Sequence, residues 1–135
     1  MNIDELVDNF GFLEDWEDRY AYLIDLGGNL PPMDDALKTE QSKVKGCMSQ
    51  VWMILGWDGD GRLTFLADSD AQIVRGLIAV LRVLFQGRSA AEIADIDVEQ
   101  TFKRLGLDQH LSPNRRNGFF SMVERVKAFT SCPQT

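Results

Sequence analysis

The run Asp58-Gly59-Asp60-Gly61 is the strongest β-turn signal in the chain, and it lies between two apolar segments of strand length. Val51-Trp52-Met53-Ile54-Leu55-Gly56-Trp57 precedes it, rich in β-branched and aromatic residues. After it, Leu63, Phe65 and Ala67 alternate with Arg62, Thr64 and Leu66. The pattern predicts two antiparallel strands, and Lys38 to Lys45 is a candidate for a third, with weaker alternation. Asp58 and Asp60 do not suggest calcium. An EF-hand loop would want a third oxygen ligand and a glycine where Arg62 and Leu63 stand, so a plain turn is expected.

Both flanks of the hairpin carry helical spacing. Ile3, Leu6, Val7 and Phe10 form one apolar stripe, and Leu13, Trp16, Tyr20, Leu23 and Ile24 form a second that Gly27-Gly28 should stop. Pro31-Pro32 forces an extended link, and Asp34 to Leu37 amounts to one helical turn at most. Beyond residue 68, Ser69 with Gln72 reads as a capping box for a helix bearing Ile73, Leu77, Leu81 and Leu84. Gly76 lies inside it at a cost of ~1 kcal/mol against alanine, which suggests close packing against the sheet. Ser89 with Glu92 and Asp97 with Gln100 mark two more starts, and Gly106 closes the second. Ser112-Pro113 opens a last helix, with Phe119, Met122, Val123, Val126 and Phe129 along one face. Trp52 and Trp57 fall on opposite faces of one strand as packing residues. The expected fold class is α+β, a small antiparallel β-sheet covered by helices, with residues 1–135 as a single domain.

The net charge of −7 argues against nucleic acid, where cations must replace counterions on the phosphates, and against an anionic membrane surface. No stretch approaches the ~20 apolar residues of a membrane span. The acidic start, MNIDELVDNF, lacks the basic and apolar regions of a signal peptide, and two cysteines give no disulfide framework, so a cytoplasmic location is expected.

Cys47 stands in V-K-G-C-M-S-Q-V-W, Val44 to Trp52, ahead of the strand alternation that would otherwise explain it. Free cysteine is often a buried structural residue. Three features favour a nucleophile at a loop tip instead. Gly46 permits a sharp turn with positive φ. Lys43 and Lys45 precede the thiol and would favour thiolate. The cysteine also lies outside the apolar pattern. The one histidine, His110, has no recognisable orienting partner, so a cysteine hydrolase is disfavoured. Cys47, Cys132 and His110 cannot alone supply the ligands of an iron–sulfur or zinc site, and neither metal nor cofactor is expected. Thiol exchange, redox sensing and carriage of a group on sulfur remain.

The same segment resembles the active-cysteine signature of the SufE family, G-C-x-S-x-V-W. Asp68 to Val80, DSDAQIVRGLIAV, is similar to that family's D-S-D-A-x-I-V-K/R-G-L-I-A-V helix, and Leu111 to Gly118, LSPNRRNG, to its L-S/T-P-S-R-x-x-G segment. Asn114 departs from the usual serine and leaves Arg115 in register. The SufE and CsdE subgroups are too alike to separate. The resemblance implies a fold like that of the IscU scaffolds, without their cluster ligands. It also implies a sulfur acceptor that takes sulfane sulfur from a pyridoxal-phosphate-dependent cysteine desulfurase (SufS- or CsdA-like), as a persulfide on Cys47. Such a carrier stimulates the desulfurase and passes sulfur to a downstream acceptor or iron–sulfur scaffold. The alternative is a thiol-based redox switch or adaptor using Cys47. A weak homodimer is left open. Gly46 and Lys45 would support the cysteine loop. Arg115 would position that loop or stabilise sulfur anion. Asp70, placed in the first turn of its helix, would act in loop stability or partner contact. Met48, Val51 and Trp52 would shelter the sulfur on a loop able to swing, and Cys132 would be a bystander.

Overall fold

In the computed structural model, residues 1–47 and 49–131 are described. Helices α1 (Ile3–Gly11) and α2 (Trp16–Gly28) come first, then a single 3-10 turn at Asp35–Leu37. Strands β1 (Val51–Trp57) and β2 (Leu63–Ser69) follow. The remaining helices are α3 (Gln72–Phe85), α4 (Ala90–Asp95), α5 (Val98–Arg104), α6 (Leu107–His110) and α7 (Pro113–Ser131). The class is α+β, as the sequence predicts.

The hairpin closes as its glycines require. Gly61 adopts φ 74°, a conformation that side chains disfavour, and its amide donates to the Asp58 carbonyl at 3.2 Å. The Asp58 carboxylate accepts from the Asp60 and Arg62 amides, both at 2.9 Å. The Arg62 amide, then that of Asp60, holds this carboxyl below its usual range. The ladder is antiparallel, with Val51 opposite Ser69 and Trp57 opposite Leu63. Val51, Met53, Leu63, Phe65 and Ala67 on one face are buried, the alternation read from the sequence. Trp52 faces the other way beneath Lys38, and Trp57 stacks on Phe129 of α7 at 5.6 Å between centroids.

Helix α3 is the central element. Val74, Leu77, Ile78, Val80, Leu81, Leu84 and Phe85 are all buried, because β2 covers one side of the helix and α2 and α7 pack on others. The predicted caps hold at α4, where Ser89 and Glu92 make a reciprocal capping box, and at α5, where Asp97 accepts from the Gln100 amide. Gly106 at φ 73° ends α5.

Four local expectations are corrected. The segment from Lys38 to Lys45 is not a strand. Ser42 is buried, its Oγ donating to the Leu37 carbonyl at 2.7 Å and accepting from the Thr39 amide, which curls the chain. Two hydrogen bonds to β1 survive, Val44 amide to Val51 carbonyl and Met53 amide to Ser42 carbonyl. Ser69 does not cap α3, because it belongs to β2; its hydroxyl donates to the Gln50 carbonyl at 2.7 Å, and Ala71 is the N-cap. Helix α2 runs through Gly27 and Gly28 instead of stopping before them. Gly76 packs against α2 and not the sheet: a Cβ there would lie 2.4 Å from the Leu23 carbonyl oxygen.

Candidate functional site

Cys47 follows Gly46, whose φ of 88° makes the turn that glycine was expected to supply. The loop bends back onto α7. A Cβ on Gly46 would stand 2.7 Å from Ser121 Oγ, and the Cys47 thiol donates to the Gly118 carbonyl at 3.6 Å. A Cβ on Gly118 would lie 3.5 Å from the sulfur. The helix thus presents bare backbone to the cysteine, and a bulky side chain at 118 would push it away.

The half-buried thiol borders a cavity of about 220 Å3. Buried Val74, Leu77, Phe119 and Met122 form its apolar lining, while exposed Ser112, Asn114 and Arg115, all at the start of α7, complete it. Arg115 is therefore brought to Cys47 across a wide sequence separation. Its backbone amide donates to Ser112 Oγ, the predicted cap.

The base of the loop is tied on two sides. Toward β1, Asp70 Oδ1 accepts from the Gln50 amide at 3.1 Å and its own amide donates back to the Gln50 carbonyl at 3.3 Å. Asp70 precedes the Ala71 N-cap, so it lies outside the first turn of α3, where the sequence reading had placed it. On the upstream side the guanidinium of Arg125 donates to the carbonyls of Lys43 and Gln41, each at 2.6 Å.

Burial pushes the Cys47 thiol above its ordinary value, and among the described residues no cation offsets this. That corrects the expectation that Lys43 and Lys45 favour thiolate. Lys45 is exposed, Lys43 half-buried, and neither lines the cavity. Val51 lines it but Trp52 does not. Met48 and Cys132 lie outside the described residues. The His110 ring stacks on Trp16 at 3.8 Å, and its carbonyl accepts from the Tyr20 hydroxyl. It borders a neighbouring depression that shares Ser112 and Arg115, and not the cavity at the thiol. Among the described residues no group of three or more histidine, cysteine, aspartate or glutamate side chains could hold a metal ion.

A family model described as "SufE: Fe-S metabolism associated domain" matches residues 4–130. The chain belongs to the SufE family. Similar SufE-like proteins include one from Rhizobium meliloti, 47% identical over 94% of this chain and 93% of its own, bearing the name uncharacterized SufE-like protein. Another, from Rhizobium etli and named likewise, is 44% identical over 93% of this chain and 87% of its own. The solution structure of a hypothetical protein from Thermus thermophilus superposes with a TM-score of 0.76 at 19% identity, covering 95% and 92% of the two chains. That likeness establishes a shared fold. SufE membership associates the chain with iron–sulfur metabolism.

Two residues of the candidate site are not marked out by the sequence patterns. Gly118 enters the sequence patterns only as the last residue of LSPNRRNG, and Arg125 enters none of them. The signal was there in the spacing of Gly118, Ser121, Met122 and Arg125, one face of a helix.

Proposed function

We propose that the chain is a sulfur acceptor and carrier. Cys47 takes sulfane sulfur from a pyridoxal-phosphate-dependent cysteine desulfurase, stimulates that enzyme by clearing its persulfide, and delivers the sulfur toward iron–sulfur cluster assembly. The observation that carries the reading is the seat of Cys47: a loop-tip thiol beside a half-apolar cavity with Arg115 at its edge. The work would be done by one domain spanning residues 1–135 in the cytoplasm.

The step balances without metal or oxidant. The Cys47 thiolate attacks the outer sulfur of the donor's persulfide, the donor's S–S bond breaks with its electron pair leaving on the donor cysteine, and Cys47–S–S⁻ results. Its rate follows thiolate fraction, nucleophilicity and access. At rest the thiol is protonated and partly covered, which suits storage and not attack. The loop therefore swings out at the desulfurase, where water or the partner's groups relieve the burial, and folds back to shelter the persulfide. Arg115 at the cavity edge offers a cation to sulfur anion, and Asp70 anchors the β1 side of the loop through Gln50. Lys45 is free to meet an acidic partner surface.

A thiol switch fits less well. Redox-sensing cysteines are accessible and of low pKa, whereas burial raises this one. The test is mass spectrometry after incubation with a cysteine desulfurase and L-cysteine. A reductant-labile gain of one sulfur atom on Cys47 is expected, with stimulation abolished in Cys47→Ser. Full stimulation by Cys47→Ser would refute sulfur carriage.

A further inference from the structure

The cysteine loop is not held by its own sequence alone, since its upstream side depends on a side chain from the far part of the chain. Arg125 donates from two guanidinium nitrogens to two backbone carbonyls, Lys43 and Gln41, at 2.6 Å each. Those carbonyls lie on the residues that lead into Gly46 and Cys47. On the same helix face, one turn earlier, Ser121 stands against Gly46, and one turn before that the Gly118 carbonyl receives the thiol. The spacing 118, 121, 125 places all three on one stripe of α7. Met122, on the same stripe, lines the cavity.

We infer that Arg125 is a positioning residue for Cys47: by bridging the Gln41 and Lys43 carbonyls to α7 it sets the loop's resting place, with the sulfur in its cavity. The inference rests on the sulfur-carrier reading for its purpose, but its geometry stands apart from that reading. A planar guanidinium is suited to this task because its fork fixes two acceptors at once. The lysine ammonium carries the same charge as a point on a flexible stem, and it secures such a pair less rigidly. Arg125 and Asp70 divide the work, one on each side of the cysteine. Loss of Arg125 detaches the upstream side from α7 while Ser42 and Val44 keep their backbone bonds to β1, so Gly46 and Cys47 leave the α7 face more often and Gln50 stays tied to Asp70.

The experiment uses the full chain in a Cys132→Ser background, so that one thiol reports. Cys47 alkylation by iodoacetamide is timed in the parent and in Arg125→Lys and Arg125→Met. If alkylation occurs from the open loop, Arg125→Met should react about tenfold faster, the change in an opening equilibrium that 1.4 kcal/mol makes. Arg125→Lys should fall between it and the parent, a partial rescue that a merely structural role would not grade. Hydrogen exchange locates the effect. Protection lost around residues 41–47, with α3 unchanged, supports the inference; loss spread through α3 assigns Arg125 to general stability and overturns it. Equal alkylation rates in all three proteins also overturn it. A second measurement loads Cys47 with sulfur from inorganic polysulfide and times its removal by dithiothreitol, where the same rank order is expected and an equal lifetime counts against the inference. No desulfurase enters either measurement, so failure of the carrier reading shows separately, as absence of sulfur on Cys47 after incubation with that enzyme.

Discussion

The Cys47 thiol points its proton at a helix carbonyl, and burial is what moves its titration. Its folded-state value lies above the unfolded one, so the contribution to stability is present below the ordinary thiol range and is lost as pH rises through the folded value. The alkylation rate of Cys47 in native Cys132→Ser protein should therefore inflect at higher pH than in the same chain unfolded in urea. An inflection at or below the unfolded one would contradict a covered resting thiol. The neighbouring Gly118 gives a second expectation. A methyl there would sit 3.5 Å from the sulfur and 3.8 Å from Cys47 Cβ, both ordinary contacts. Alanine in a helix is favoured over glycine by ~1 kcal/mol. Gly118→Ala should thus melt at the same temperature as the parent or higher, by calorimetry; a marked fall would mean the loop is packed more tightly than these distances state. At this scale the turn at Gly46 was legible, because a glycine beside a thiol at a loop tip is a local pattern. It misled about Lys43 and Lys45, because two and four residues along a loop do not imply a shared direction.

Helices α2 and α3 cross where each carries a glycine. A Cβ on Gly76 would meet the Leu23 carbonyl oxygen at 2.4 Å and its carbon at 2.7 Å. One on Gly27 would meet Arg75 C and Gly76 N at 2.7 Å. Backbone atoms cannot turn aside, so the helices must separate. Gly76→Ala should lose about 1–3 kcal/mol in urea denaturation, the usual cost of overpacking, despite its gain in helix propensity. Gly27→Ala should behave alike, and the double variant should cost less than the sum, because the first separation makes room for the second methyl. Additive losses would mean two independent clashes. The sequence registered Gly76 as an oddity and assigned it to the sheet. Propensity tells that a helix tolerates a glycine for a reason, but not which neighbour supplies the reason. The caps at Ser89 and Asp97 were legible because capping is a matter of three or four residues. Ser69 was misassigned because a strand claimed the same hydroxyl for Gln50.

Across the whole molecule the hairpin has two ends with different duties. The β1 start adjoins Cys47, while the turn at Asp58–Arg62 lies seven residues along, roughly 20 Å away at ~3.3 Å per residue. At that far end, Leu63 donates to the Arg88 carbonyl, Gly87 donates to the Leu63 carbonyl, and Arg62 bridges to Ser89. Two carboxylates whose titration is lowered, Asp58 and Glu92, both sit on this seam. Asp58 is held down first by the Arg62 amide, and Glu92 first by the Ser89 amide. The sequence foretold each turn and cap separately, but not that they share a seam, since only the fold brings residue 62 to residue 89. A depressed folded-state pKa contributes stability that is present above the unfolded value and lost as pH falls through the folded one. Acid should accordingly loosen the seam first. Hydrogen exchange taken stepwise from about pH 5 to about pH 3, across the range where such carboxyls protonate, should show protection falling around residues 57–63 and 87–92 before residues 49–53. Asp58→Asn keeps an oxygen for the two amides without a titrating proton, so its acid loss should be shallower than the parent's. If protection fell together at both ends, the seam would not be the acid-sensitive part of the molecule, and the cysteine end would not be insulated from it.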